Sequence, residues 1–198
     1  MHQVRRVFVE KKDEFATAAR NLRHELRSYL GLAGLNRVRM LIRYDAEGIS
    51  DEIFEKACRA VFAEPPVDML YRESFPHDEN DRVFSVEYLP GQFDQRAESA
   101  EQCVRFLKED EQVVIRSATT YCLSGDISDE EFAAVKAYCI NPVDSREAAD
   151  EKPETLISVF PELSRLMPML PRTLRNTGKT FHNRIRTITT SMAPNTSG

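Results

Sequence analysis

Part of this chain occurs twice, and that constrains its fold more than anything else in it. Ile49-Ser50-Asp51-Glu52-Ile53-Phe54 returns as Ile127-Ser128-Asp129-Glu130-Glu131-Phe132, matching at five of six positions 78 residues later. A repeat of this size means each copy is one structural unit, so it is read before any local signal. Three further matches keep the same order. Arg6-Val7-Phe8-Val9-Glu10 is echoed by Arg82-Val83-Phe84-Ser85-Val86-Glu87 at a separation of 76 to 77. Phe15 is followed by Phe93 after 78 residues, and Pro66-Val67-Asp68 by Pro142-Val143-Asp144 after 76. The chain reads as a tandem duplication, with units at about 4–72 and 82–147.

Within the first unit, Val4–Glu10 is rich in β-branched and aromatic residues, as a strand requires. From Asp13, the residues Phe15, Ala18, Ala19, Leu22, Leu26, Tyr29 and Leu30 recur at helical spacing, and Gly31 stands where a left-handed residue ends a helix. Val38–Tyr44 predicts a second strand. Ser50 predicts a helix cap, with Asp51 and Glu52 favouring the positive end of the helix dipole. Pro65-Pro66 ends that helix, and Val67–Tyr71 is a short third strand. The polar stretch Ser74–Asp81 joins the units. The second unit repeats the order: strand Val83–Tyr88, helix Gln95–Leu107, strand Val113–Leu123, then a helix opened by the capping box Ser128–Glu131. Ala97, Ala100, Val104 and Leu107, and later Phe132, Val135, Tyr138 and Cys139, are expected to face inward. The last strand is clear only in the first unit.

The expected fold class is α+β: two strand–helix–strand–helix(–strand) units packed about a pseudo-two-fold, with helices on one face of small antiparallel sheets. Units of this size bury too little surface to be comfortable alone, so a shared core is expected. If Val38–Tyr44 lay at a sheet edge, it would favour self-association.

The charge is divided. From Thr155 on there are six basic residues against one acidic, whereas the rest has 21 against 31. The acidic body argues against a nucleic-acid partner for residues 1–154. The segment 155–198 has eight threonines and four prolines but no regular apolar period, and is expected to be a disordered or non-native tail. A basic arm for RNA or another anionic surface is the other reading of it. No apolar run reaches membrane-spanning length, and the first residues show no apolar leader core, so a cytoplasmic protein without membrane contact is expected. The cysteines Cys58, Cys103, Cys122 and Cys139 show no C-x-x-C pair and are expected to be reduced core thiols.

The most distinctive local sequence is Pro90-Gly91-Gln92-Phe93-Asp94-Gln95-Arg96. Its counterpart in the first unit, Lys11-Lys12-Asp13-Glu14-Phe15, is plain. A loop that departs from its repeat partner is a candidate docking loop. Other motifs are weaker. Gly178-Lys179-Thr180 lacks the earlier glycine of a phosphate loop, Thr173 standing in its place. Asp78-Glu79-Asn80-Asp81 lacks the glycine and final acid of a calcium loop. His2, His24, His77 and His182 are not at ligand spacing, and His24 is expected to be exposed. No catalytic, cofactor or metal residue is nominated.

Several separated stretches resemble the N-terminal domain of large-type phosphoribosylformylglycinamidine synthase. They are Val7-Phe8-Val9-Glu10-Lys11-Lys12, Arg43-Tyr44-Asp45, Val86–Arg96 and Asn141-Pro142-Val143-Asp144-Ser145-Arg146, together spanning about residues 4–154. In that family the region is itself a duplication. The resemblance implies a scaffold that packs on synthetase and glutaminase domains in a glutamine-dependent ligase of purine biosynthesis. ATP and magnesium are implied only for the synthetase domain, which has no counterpart in this sequence. No catalytic residue carries over, and the chain alone is expected to be inactive. A free-standing module binding a small regulatory ligand between its repeats is the alternative.

Overall fold

The computed structural model describes residues 3–108 and 113–157. The tail from Ser158 on, with its Gly178-Lys179-Thr180 motif and His182, lies outside them, as does His2. The elements of the first half are β1 (Arg5–Lys11), α1 (Thr17–Tyr29), β2 (Leu35–Glu47), α2 (Asp51–Ala60) and β3 (Asp68–Arg72). Those of the second are β4 (Arg82–Tyr88), α3 (Gln95–Leu107), β5 (Val114–Gly125), α4 (Asp129–Cys139) and β6 (Ser145–Glu147). Each half is strand–helix–strand–helix–strand, and β6 supplies the last strand that the sequence left faint.

The strands form one six-stranded antiparallel sheet in the order β3-β1-β2-β5-β4-β6, not separate small sheets. The join is the long β2–β5 ladder, which runs from Leu35 opposite Gly125 to Glu47 opposite Val114. Pairing these two strands satisfies backbone groups that two separate sheets would leave at open edges. Val38–Tyr44 is thus central, flanked by β1 and β5, and is no edge for self-association.

The ladders repeat at a single shift. Val7 pairs with Tyr44 and Phe84 with Tyr121, both partners 77 residues on. Val9 pairs with Leu70 and Val86 with Glu147, again 77 on. In the central ladder Ile42 faces Thr119, its own counterpart at that shift. The sequence match at 76, which equates Phe8 with Phe84, therefore joins residues on opposite faces. Phe8 packs with Leu41 and Cys122, whereas Phe84 packs with Leu123 and Val135. A slip of one residue inverts a strand's faces, so the ladder decides the register. Helices α2 and α4 follow at 78 (Asp51, Asp129) because the turn after β5 is one residue longer at Asp126. Gly125 in that turn has φ +139°, and a Cβ there would lie 2.1 Å from the Gly34 carbonyl oxygen, so only glycine fits.

All four helices cover one face, and each core cluster draws on both halves. Ile53, Phe54 and Ala57 of α2 share a cluster with Ala97, Ala100 and Val104 of α3, over Val7, Val9 and Ile115. Leu26 of α1 and Val135 of α4 share another with Val38, Phe84 and Leu123. Helix α1 is shorter than expected. The backbone turns through Lys12–Phe15 before it starts, leaving Phe15 exposed; Tyr29, its last residue, is exposed as well, and Gly31 ends it with φ +70°. Leu107 and Tyr138, expected inward, are exposed. Ser128 closes its capping box with Glu131; Ser50 makes no side-chain cap bond. The reciprocal acid is missing at α2, where the equivalent of Glu131 is Ile53. His24 is exposed, as expected. Cys58 and Cys122 are buried and Cys139 half-buried, but Cys103 is exposed and is not a core thiol.

The opposite face of the sheet is charged yet buried. Arg6 grips Asp45 through two bonds of 2.6 and 2.9 Å, and Arg43 Nε lies 3.5 Å from the same carboxylate. Arg39 grips Glu10 in the same way at 2.8 and 2.6 Å, and that bond raises its pKa. Arg146 and Arg43 both approach Glu87, at 2.7 and 4.0 Å. Charges are kept in an interior only when paired in this way.

Candidate docking site

The 89–96 loop is fixed at both ends. The Leu89 N–H donates to the Asp144 carbonyl at 2.8 Å, and the Gln92 N–H donates to the Leu89 carbonyl at 3.0 Å. Gly91, at φ +90°, makes the turn that this closure needs. Asp94 is the second anchor. It is the N-cap of α3, accepting the Ala97 N–H at 2.9 Å, and it also accepts the Ser117 N–H at 3.1 Å and the Ser117 hydroxyl at 2.9 Å. The first half has no such anchor. At α1 the N-cap is Ala16, with no side-chain cap bond, and Met40 stands at the position of Ser117. The sequence comparison marked this loop as different. It did not find Ser117, although a hydroxyl on the helix-facing side of β5 was the available signal.

With the anchor in place, Pro90, Gly91, Gln92 and Phe93 project outward, and Phe93 is 71% exposed. Tyr88, just before the loop, and Val143, next to Asp144, are exposed as well. Gln95 and Arg96 point the other way in role: they line a cleft of about 690 Å3. Its floor is Val86, Ser117, Thr119 and Tyr121, and Ser99 and Cys103 of α3 form a wall. Its lining comes from the second half except for Tyr44 and Val61, so the cleft sits on the second half and touches the first only at these two residues. Burial pushes the Tyr121 hydroxyl up to about 12 and the Cys139 thiol to about 11, so both are neutral near pH 7. The charged residues lining the cleft are Glu87, Arg96 and Asp144.

Asp94 is thus a positioning residue. Asp94→Ala is expected to cost about 1–2 kcal/mol, the usual penalty for a lost N-cap. Urea unfolding measures it, and an unchanged midpoint would remove the anchor from the account.

Among the described residues, no group of His, Cys, Asp and Glu is placed to hold a metal ion, and no helix is long and apolar enough to cross a membrane. No known protein family matches the sequence, and no characterised protein matches it at a significant level.

Proposed function

We propose that this chain is a non-catalytic docking domain, the N-terminal scaffold of a phosphoribosylformylglycinamidine synthase, acting in the cytoplasm. The full enzyme of that kind converts formylglycinamide ribonucleotide to the amidine with ATP and glutamine. In this reading the domain seats the synthetase and glutaminase parts against each other. The sequence stretches that resemble the family support it, and so does the shift of 77 common to the ladders, which fits descent from one duplicated unit. One observation carries the docking role: Asp94 and Ser117 hold a loop rigid while it presents Phe93 to solvent. A rigid frame lowers the ordering cost of binding, and a central aromatic is the usual anchor of an interface.

The test is calorimetric titration of this chain with separately produced synthetase and glutaminase domains. Phe93→Asp is expected to weaken binding by about 2 kcal/mol or more, roughly thirtyfold, with little change in stability because the ring is exposed. No binding by the unaltered chain, or equal binding by the variant, would contradict the proposal.

The cleft on the second half favours a second reading, a small regulatory ligand held by Arg96, Ser99 and Thr119 rather than between the repeats. A thermal-shift panel of purine-pathway nucleotides and amino acids tests it, since ligand at 100 times its Kd adds about 2.7 kcal/mol.

A further inference from the structure

The buried charges on the second face of the sheet bind backbone. After β3, residues 73–81 cross this face. Phe75 packs on Phe8 with the rings tilted and their centroids 5.0 Å apart, and Arg39 donates to the Pro76 carbonyl at 2.6 Å. After β6, residues 148–157 cross it from the other edge. The Ala148 N–H donates to the Ser85 carbonyl, Arg43 to the Ala149 carbonyl at 3.0 Å, and Arg6 to the Asp150 carbonyl at 2.6 Å. Lys152 then reaches Glu73 at 2.6 Å. The crossing ends at Glu47. Its carboxylate accepts the Thr155 hydroxyl at 2.9 Å, the Leu156 N–H at 2.5 Å and the Ile157 N–H at 3.2 Å. Arg116 donates to the Leu156 carbonyl at 3.3 Å, and the Leu156 side chain is buried.

Arg116 is the counterpart of Arg39 at the shift of 77, and each takes one carbonyl of the segment that leaves its half's edge strand. We infer that this face is a backbone-binding surface built into both halves. Its occupants are the chain's own two arms, 73–81 and 148–157, and Glu47 is the latch that holds the second arm. The chemistry supports that assignment. An extended segment presents alternating carbonyls and amides, and the face meets them with guanidinium donors and one carboxylate acceptor, each bond charge-assisted. An apolar face would hold a segment by its side chains and would leave the backbone groups of 149, 150, 156 and 157 without partners. The fold therefore extends through Ile157, and the change to a different segment falls after the latch rather than at Thr155.

Hydrogen exchange on the full chain tests the latch. In the unaltered protein the Leu156 and Ile157 amides are expected to exchange at least a hundredfold more slowly than in an open chain. In Glu47→Gln, where one charged acceptor is lost, their protection is expected to fall at least tenfold while the β2 and β5 amides stay unchanged. Thr155→Val removes one of the three donors at an exposed site, and is expected to reduce protection at Ile157 even if the Glu47 variant fails to fold. Open-chain exchange at 156 and 157 in the unaltered protein would overturn the inference. So would full protection in either variant. None of these readouts depends on the docking loop.

Discussion

Replacing Asp45 with alanine is expected to lower the stability of this fold by about 3–5 kcal/mol, the range for removing one partner of a buried ion pair. The carboxylate accepts two bonds from Arg6 and lies 3.5 Å from Arg43. The side chains of all three residues are 6% exposed. Alanine would leave two guanidiniums in the interior, with the next acid for Arg43, Glu87, 4.0 Å away. Burial already lowers the Arg43 pKa, which shows the direction of the strain on its charged form. Arg6 and Arg43 also hold the second arm, so the loss would reach residues 149 and 150. Urea unfolding with a matched m-value measures the change. A loss below about 1 kcal/mol would mean that water reaches this face and the pairs are ordinary surface ones.

Phe84→Ala is the second large effect, expected at about 3–5 kcal/mol from lost transfer energy and the cavity left behind. The ring is 1% exposed. It stacks on Tyr121 with centroids 5.0 Å apart and meets Phe132 edge-on at 5.6 Å. Its cluster includes Leu26 of α1 and Val38 of β2, so a residue of the second half supports elements of the first. A loss confined to the local contacts of β4 and α4, or a cost under about 1 kcal/mol, would contradict that placement.

The architecture was legible because its signals are local and repeated. The ranges of α3, β1, β4 and β5 follow from apolar period to within about two residues, and the capping box of α4 from Ser128 and Glu131, whereas β2 runs from Leu35 to Glu47, three residues beyond the expected Val38–Tyr44 at each end. The union of the halves into one sheet was not legible, since strand pairing is a long-range choice that β2 and β5 make only in three dimensions. Register was half legible. Sequence identity at 76 favoured equating Phe8 with Phe84, but which face a residue occupies is set by its ladder partner. The 90–96 loop stood out by departing from its repeat, but its anchor, Ser117, lies 23 residues beyond Asp94 in a different element. The second arm was hidden for another reason. Its contacts are mostly to backbone atoms, so Ala149, Asp150 and Leu156 carry no sequence pattern that marks them.

The account rests on two like halves sharing one core, with α1 joined to α4 and α2 to α3 across the junction. Native-state hydrogen exchange in sub-denaturing urea, comparing unaltered protein with Phe84→Ala, tests this directly. The account predicts that the α1 amides of the first half and the α4 amides of the second open together, and that the variant lowers both by the same amount. Loss of protection in α4 alone, with α1 and β2 left as stable as before, would show two independent lobes and contradict it.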